Sequence, residues 1–204
     1  MGYDERHIAS RGNDHNRIMI VTGVSASGKD FLLSEANRNG LIAPPIRTLS
    51  FGQELFRHLR SQYPQIKTRD DINTQLNSSE LRQGILYVAN EIVEKQPAIL
   101  NTHVVSRQND SIITNPDVDM KVRPLSYVYV WSEPGQIELW RSADVGRARR
   151  QESADEISLH QDIAVEVVRI IAEHTGASFT TLWNRPDNVT ENLAKIEERS
   201  AGLV

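Results

Sequence analysis

The strongest constraint on this chain is a change of texture between residues 18 and 37. Ile18-Met-Ile-Val21 is an unbroken apolar run, and Gly23-Val-Ser-Ala-Ser-Gly28 is a turn of small residues with a glycine at each end. Lys29-Asp-Phe-Leu-Leu-Ser-Glu-Ala-Asn37 then reads as the opening of a helix. Apolar residues in succession, rather than in alternation, suit a central parallel strand covered on both faces. The glycines let the backbone curl tightly without a Cβ clash, so that successive N–H groups point inward around an anion. The helix beginning near Gly28 adds the positive end of its dipole. Strand, anion cradle and helix are therefore predicted in that order.

The rest of the chain alternates in the same way. Strands are predicted over 17–22, 46–51, 97–102, 126–131 and 178–183. The first helix stops near Asn39-Gly40, and others are predicted over 53–62, about 79–95, 136–142 and 188–198. The helix at 53–62 ends before Pro64. The helix near 79–95 carries Leu81, Ile85, Val88 and Ile92 at helical spacing. A further long helix opens at the capping box Ser153-x-x-Glu156 and closes at Gly176. Residues 67–72 and 105–124 read as polar excursions, and residues 1–16 as a flexible tail. This pattern predicts an α/β fold: a five-stranded parallel sheet with helices on both faces, in a single domain over 17–204. Its ligand belongs at the C-terminal ends of the strands.

Three clusters carry chemistry. Gly23 to Asp30 matches the P-loop pattern G-x-x-x-x-G-K-[ST], except that Asp30 takes the place of Ser or Thr. Gly23, Ser25, Ala26, Ser27, Gly28, Lys29 and Asp30 are then expected to hold the phosphates of ATP, with Lys29 on the β- and γ-phosphates and Asp30 near magnesium. Residues 141–150 contain Arg141, Arg147, Arg149 and Arg150. Phosphoryl transfer spreads negative charge over the moving group. A lid over about 141–152, with Arg141, Arg147 and Arg149 catalytic alongside Lys29, answers that need. The third cluster is Asn101-Thr-His103, at a strand end where an acid normally faces the metal.

The order of these parts resembles the nucleoside monophosphate kinases, most closely the archaeal-type adenylate kinases, over nearly everything from Ile18 to Glu198. Ile20-Val-Thr-Gly-Val24 with Gly28-Lys29 is similar to that family's opening strand and P-loop. Phe51-Gly52, Arg69-Asp70-Asp71 and Thr102-His103-Val104 resemble its later motifs, and Asn184 stands where its last strand passes the adenine. The resemblance implies a P-loop NTPase-like three-layer fold and ATP with Mg2+ as donor system. It further implies an acceptor pocket that includes Phe51, Gly52, Arg69, Arg82 and His103. Gly-Lys-Asp endings also resemble those of phosphomevalonate kinase and certain phage deoxynucleotide kinases. The acceptor thus stays open between a nucleoside monophosphate, a deoxynucleotide, a modified DNA base hydroxyl and another metabolite. Asn101 in place of an acid also keeps open a nucleotide-binding regulatory protein.

Composition narrows the classes further. The 204 residues are 39% hydrophobic and 25% charged, with no cysteine, which excludes disulfides and thiolate chemistry. A net charge of −4 argues against a dedicated nucleic-acid surface, although the arginine cluster keeps such a partner open. No apolar run reaches membrane-span length, and the start of the chain lacks the apolar core of a signal peptide. A cytoplasmic protein acting on a small-molecule phosphate acceptor is expected, with a homo-oligomer left open.

Overall fold

Residues 18–21 are completely buried, as a strand covered on both faces must be. The computed structural model describes residues 15–108, 111–114, 116–143 and 152–204. In chain order these form β1 (Asn16–Thr22), α1 (Lys29–Arg38), β2 (Arg47–Ser50), α2 (Phe51–Gln62), α3 (Asp70–Gln75), α4 (Ser78–Glu94) and β3 (Ala98–Asn101). They continue with β4 (Val105–Gln108), β5 (Ser111–Thr114), α5 (Pro116–Val122), β6 (Pro124–Trp131) and α6 (Pro134–Ala143). Last come α7 (Ala154–Thr175), β7 (Ser178–Trp183), a 3-10 turn at Pro186–Asn188 and α8 (Val189–Ala201).

The main sheet runs β2-β3-β1-β6-β7, and every pairing in it is parallel. Side-chain alternation along the strands creates two cores. Ile18, Ile20, Leu100, Tyr127 and Tyr129 face α4, α5 and α7 through Val88, Ile92, Val122, Ala164 and Val168. Met19, Val21, Ile99, Val128 and Val130 face α1 and α8 through Leu32, Leu33, Leu193 and Ile196. The result is helix, sheet, helix, each fully buried aliphatic side chain contributing roughly 1.5–3 kcal/mol. Because all five strands point the same way, Thr22, Ser50, Asn101, Trp131 and Trp183 end at one edge. The chain order reverses around β1, which opens the crevice there.

Local signals set the helix ends. In α7, Ser153 and Glu156 form the expected capping box, and Gly176 closes the helix at φ 74°. A second capping box, Asn77 with Glu80, starts α4 one residue before the sequence reading. On α4, a Cβ added at Gly84 would lie 2.6 Å from Leu59 Cδ2, so glycine lets α2 pack close. Phe51, read as the end of a strand, opens α2 instead and is buried. Residues 105–124, read as an excursion, hold an antiparallel hairpin of β4 and β5, registered Val105 to Thr114, followed by α5. Val118 and Val122 drop into the core, and the Tyr127 hydroxyl donates to buried Asp119 at 2.8 Å. Burial pushes the Asp119 carboxyl up to about 6, against a smaller downward pull from that hydrogen bond.

Candidate active site

The turn between β1 and α1 has the backbone that its glycines allow. Gly23 sits at φ 148° and Gly28 at φ 85°. A Cβ at Gly23 would lie 2.4 Å from the Val130 carbonyl oxygen, and one at Gly28 would lie 2.1 Å from Asn184 Nδ2. Ala26 also takes a left-handed φ of 67°, a conformation that costs an L-residue about 1–2 kcal/mol. Strain at a non-glycine residue in the middle of the turn marks a backbone held in place by its surroundings.

That holding comes from below. The Ser27 carbonyl accepts from Asn184 Nδ2 at 2.9 Å and from Ser132 Oγ at 2.8 Å. Ser132 follows β6, and Gln161 of α7 grips it twice: Gln161 Nε2 donates to the Ser132 carbonyl at 2.8 Å, and the Ser132 N–H donates to Gln161 Oε1 at 3.2 Å. The Asn184 N–H donates to the Trp131 carbonyl at 2.7 Å. Ser132 and Gln161 are completely buried, and Asn184 nearly so. Sequence reasoning missed Ser132 and Gln161. A signal was present, because Gln161 lies on the same helical stripe as Ile157 and Ala164, where an apolar residue is expected.

Charged and ionisable groups gather on the earlier carbonyls of the turn, those of Gly23, Val24 and Ser25. Lys29 Nζ donates to the carbonyls of Gly23 at 3.0 Å and Val24 at 3.1 Å. His103, just beyond β3, meets the Gly23 carbonyl at 2.8 Å through Nδ1. A carbonyl can only accept, so this contact requires the proton on Nδ1. Arg141, in the last turn of α6, donates to the Ser25 carbonyl from Nε at 3.2 Å and Nη2 at 3.0 Å, and it forms an ion pair with Glu152. Asn101, at the end of β3, donates from Nδ2 to Asp30 Oδ1 at 2.5 Å.

A cavity of about 640 Å³ opens beside the turn, lined among others by Gly28, Asp30, Phe31, Trp140, Asn184 and Pro186. Arg185 borders it, with its guanidinium 5.3 Å from the Trp183 ring and 2.5 Å from Glu133. Trp131 and Trp183 meet at a tilt of 44°, with their ring centroids 4.2 Å apart.

The structure thus brings Gly23, Ser25, Ser27, Gly28, Lys29, Asp30, His103, Arg141 and Asn184 together around one turn. Asn184, expected near a base, both lines the cavity and holds the turn from beneath. The residues expected on the acceptor side are placed differently. Phe51 is buried in the core, and Arg69 lies against Gly52, whose added Cβ would come 3.9 Å from Arg69 Nη1. Arg82 is exposed on the second turn of α4. Arg147, Arg149 and Arg150, most of the expected lid and nearly all of the expected tail lie outside the described residues. Among the described residues, no helix is long and apolar enough to cross a membrane.

Known proteins resemble the chain in sequence and in fold. The adenylate kinase of Thermococcus kodakarensis is 24% identical over 85% of this chain and 89% of its own length. That of Thermococcus sibiricus is also 24% identical, with the same coverage. In fold, the chain is similar to the shikimate kinase of Acinetobacter baumannii, solved with shikimate. That match has a TM-score of 0.59 at 13% identity, over 93% of this chain and 95% of the other. The shikimate kinase of Bacteroides thetaiotaomicron follows with a TM-score of 0.53 at 13% identity, over 89% and 96%. No protein-family model matches the chain. The glycine turn, the 2-3-1-6-7 sheet and these likenesses together support a P-loop kinase of the nucleoside monophosphate kinase-like family.

Proposed function

We propose that this P-loop kinase moves the γ-phosphoryl of ATP to a small phosphorylated acceptor, a nucleoside monophosphate first of all. The observation that carries the reading is the convergence of Lys29, His103 and Arg141 on the carbonyls of a turn whose N–H groups suit an anion. In the reaction, an acceptor phosphate oxygen bonds to the γ-phosphorus as the bond to the β,γ-bridging oxygen breaks. ADP and a diphosphate result, with no covalent bond to the protein. The chain's work is to position the reactants and stabilise charge. Lys29 turns from the Gly23 and Val24 carbonyls to the β- and γ-oxygens, and Arg147 and Arg149 meet the charge of the moving group. Arg141 keeps the tip of the turn in register, and the apolar cavity beside Phe31 and Trp140 receives the base of the nucleotide. Arg69, beside Gly52, and Arg82 supply cations for the acceptor phosphate.

Oxygen donors suit magnesium, and the Asp30 carboxylate, in the first turn of α1, would supply one, oriented by the Asn101 amide. When bound, magnesium neutralises charge on the donor phosphates.

The test is a single-turnover assay with γ-labelled ATP and a panel of acceptors: the ribo- and deoxyribonucleoside monophosphates, and hydroxyl acceptors including shikimate. Label arriving on a monophosphate supports the reading. Label arriving only on a hydroxyl acceptor replaces the acceptor class. No transfer to any member, with ATP tightly bound, leaves the regulatory reading in its place.

A further inference from the structure

P-loop kinases generally place a neutral hydroxyl after the P-loop lysine and an acid at a neighbouring strand end. Here both positions are inverted, with a carboxylate at Asp30 and an amide at Asn101. The sheet makes the inversion a single unit: β3 pairs with β1, so the residue ending β3 lies over the first turn of α1, and Asn101 Nδ2 reaches Asp30 Oδ1 at 2.5 Å across 71 positions of sequence. Among the described residues, the carboxylate's hydrogen-bond partner is this neutral amide, and no ion pair involves it. Asp30 is exposed and lines the cavity together with Gly28 and Lys29.

We infer that Asp30 is the single carboxylate of a divalent-cation site completed by the nucleotide phosphates, and that Asn101 orients it as a neutral partner. The inference rests on the kinase reading and names the residue that gives the donor its cation. Several features support it. Magnesium is commonly bound through one or two carboxylates plus substrate phosphates rather than in an all-protein cage. Among the described residues there is no cluster of three or more His, Asp or Glu that could make such a cage. An amide donating to one carboxylate oxygen fixes the group's rotation and leaves its other oxygen for the cation. A second acid at 101 would instead place two like charges in direct contact whenever the cation is absent. Asn101 therefore keeps the cation-free protein folded without strain, at the cost of one possible ligand.

The experiment reads cation binding directly, without turnover. Mn2+, standing in for magnesium, is titrated by electron paramagnetic resonance into the protein saturated with a non-hydrolysable ATP analogue. Asp30→Asn is expected to weaken Mn2+ binding at least tenfold. It should leave analogue binding in EDTA equal or tighter, since a negative charge facing the phosphates has gone. Asn101→Asp supplies a second readout: its melting temperature should fall below wild type without cation and recover when Mg2+ and the analogue are added together. Unchanged Mn2+ affinity in Asp30→Asn overturns the inference, as does a melting loss in Asn101→Asp that Mg2+ and analogue do not reverse. Neither result bears on whether label from ATP reaches a monophosphate, so the kinase reading stands or falls on the acceptor panel alone.

Discussion

The two sides of the glycine turn are built by different means. Its floor is neutral and buried: Ser132, Gln161 and Asn184 hold the Ser27 carbonyl through a closed set of hydrogen bonds. Its roof is cationic, with Lys29 and Arg141 resting beside His103 on backbone carbonyls. Floor contacts are part of the fold and are needed whether or not a nucleotide is bound. Roof contacts are of a kind that phosphate oxygens can replace, since a charged donor bonds more strongly to an anion than to a carbonyl. The contrast teaches where to expect loss of stability and where loss of rate.

Lys29→Ala tests the roof most severely. Removing a charge aimed at the transferring group should cost roughly 2.7–4 kcal/mol in the barrier, about 10²–10³ in turnover. The melting temperature should stay close to wild type. Near-normal turnover would falsify the role assigned to this side, and a large melting loss would make Lys29 part of the floor.

Asp119 lies outside the turn, under β6, and separates pH effects on the fold from those on the site. Its folded pKa of about 6 stands above the ordinary 3.8. The folded state therefore holds its proton more tightly than the unfolded one. The stabilisation from this group is full below about pH 3.8 and is lost as pH rises through 6, by at most roughly 3 kcal/mol. Asp119→Asn should gain stability relative to wild type between pH 4 and 6.5 and hold that advantage above it, as followed by urea melts at each pH. A difference that does not vary with pH would show that Asp119 is not titrating inside the fold.

Gln161→Leu strips both partners from the Ser132 backbone and tests the floor. Each buried group without a partner costs about 1–3 kcal/mol, so the two together should cost at least about 2 kcal/mol in unfolding free energy. Nucleotide affinity at a temperature where the variant is folded should change far less than in a roof variant. A variant that is fully stable but unable to bind nucleotide would erase the distinction between the two sides.

The smallest effect belongs to Ala26→Gly. Relief of the left-handed strain outweighs the added freedom of the unfolded chain by about 0.5 kcal/mol, so the variant should melt slightly higher. A clear drop in melting temperature would mean that the alanine methyl packs in a way that offsets its backbone cost.

The sequence made the floor and roof legible to different extents. The strand, the turn and Lys29 could be read because unbroken apolar residues and paired glycines are local signals. The same is true of the α7 capping box and Gly176. The hairpin and α5 escaped because four-residue strands and a seven-residue helix are too short for periodicity to show. Phe51 looked like a binding aromatic because nothing local says that it turns into the core. Arg141 was grouped with its neighbouring arginines, yet its Ser25 contact spans 116 positions, which only the folded sheet reveals. Gln161 was the avoidable miss, a polar residue on an otherwise apolar stripe.

The ends of β6 and β7 have an optical consequence. The chain contains three tryptophans. Trp131 and Trp183 meet in a tilted pair where these strands finish, and Trp140 lines the cavity. Arg185, which borders the same cavity, lies over the Trp183 ring. No indole is placed among the fully buried side chains of the core. The intrinsic fluorescence of this protein is therefore concentrated at its ligand edge, and quenching or a spectral shift on adding a nucleotide gives a label-free titration of occupancy.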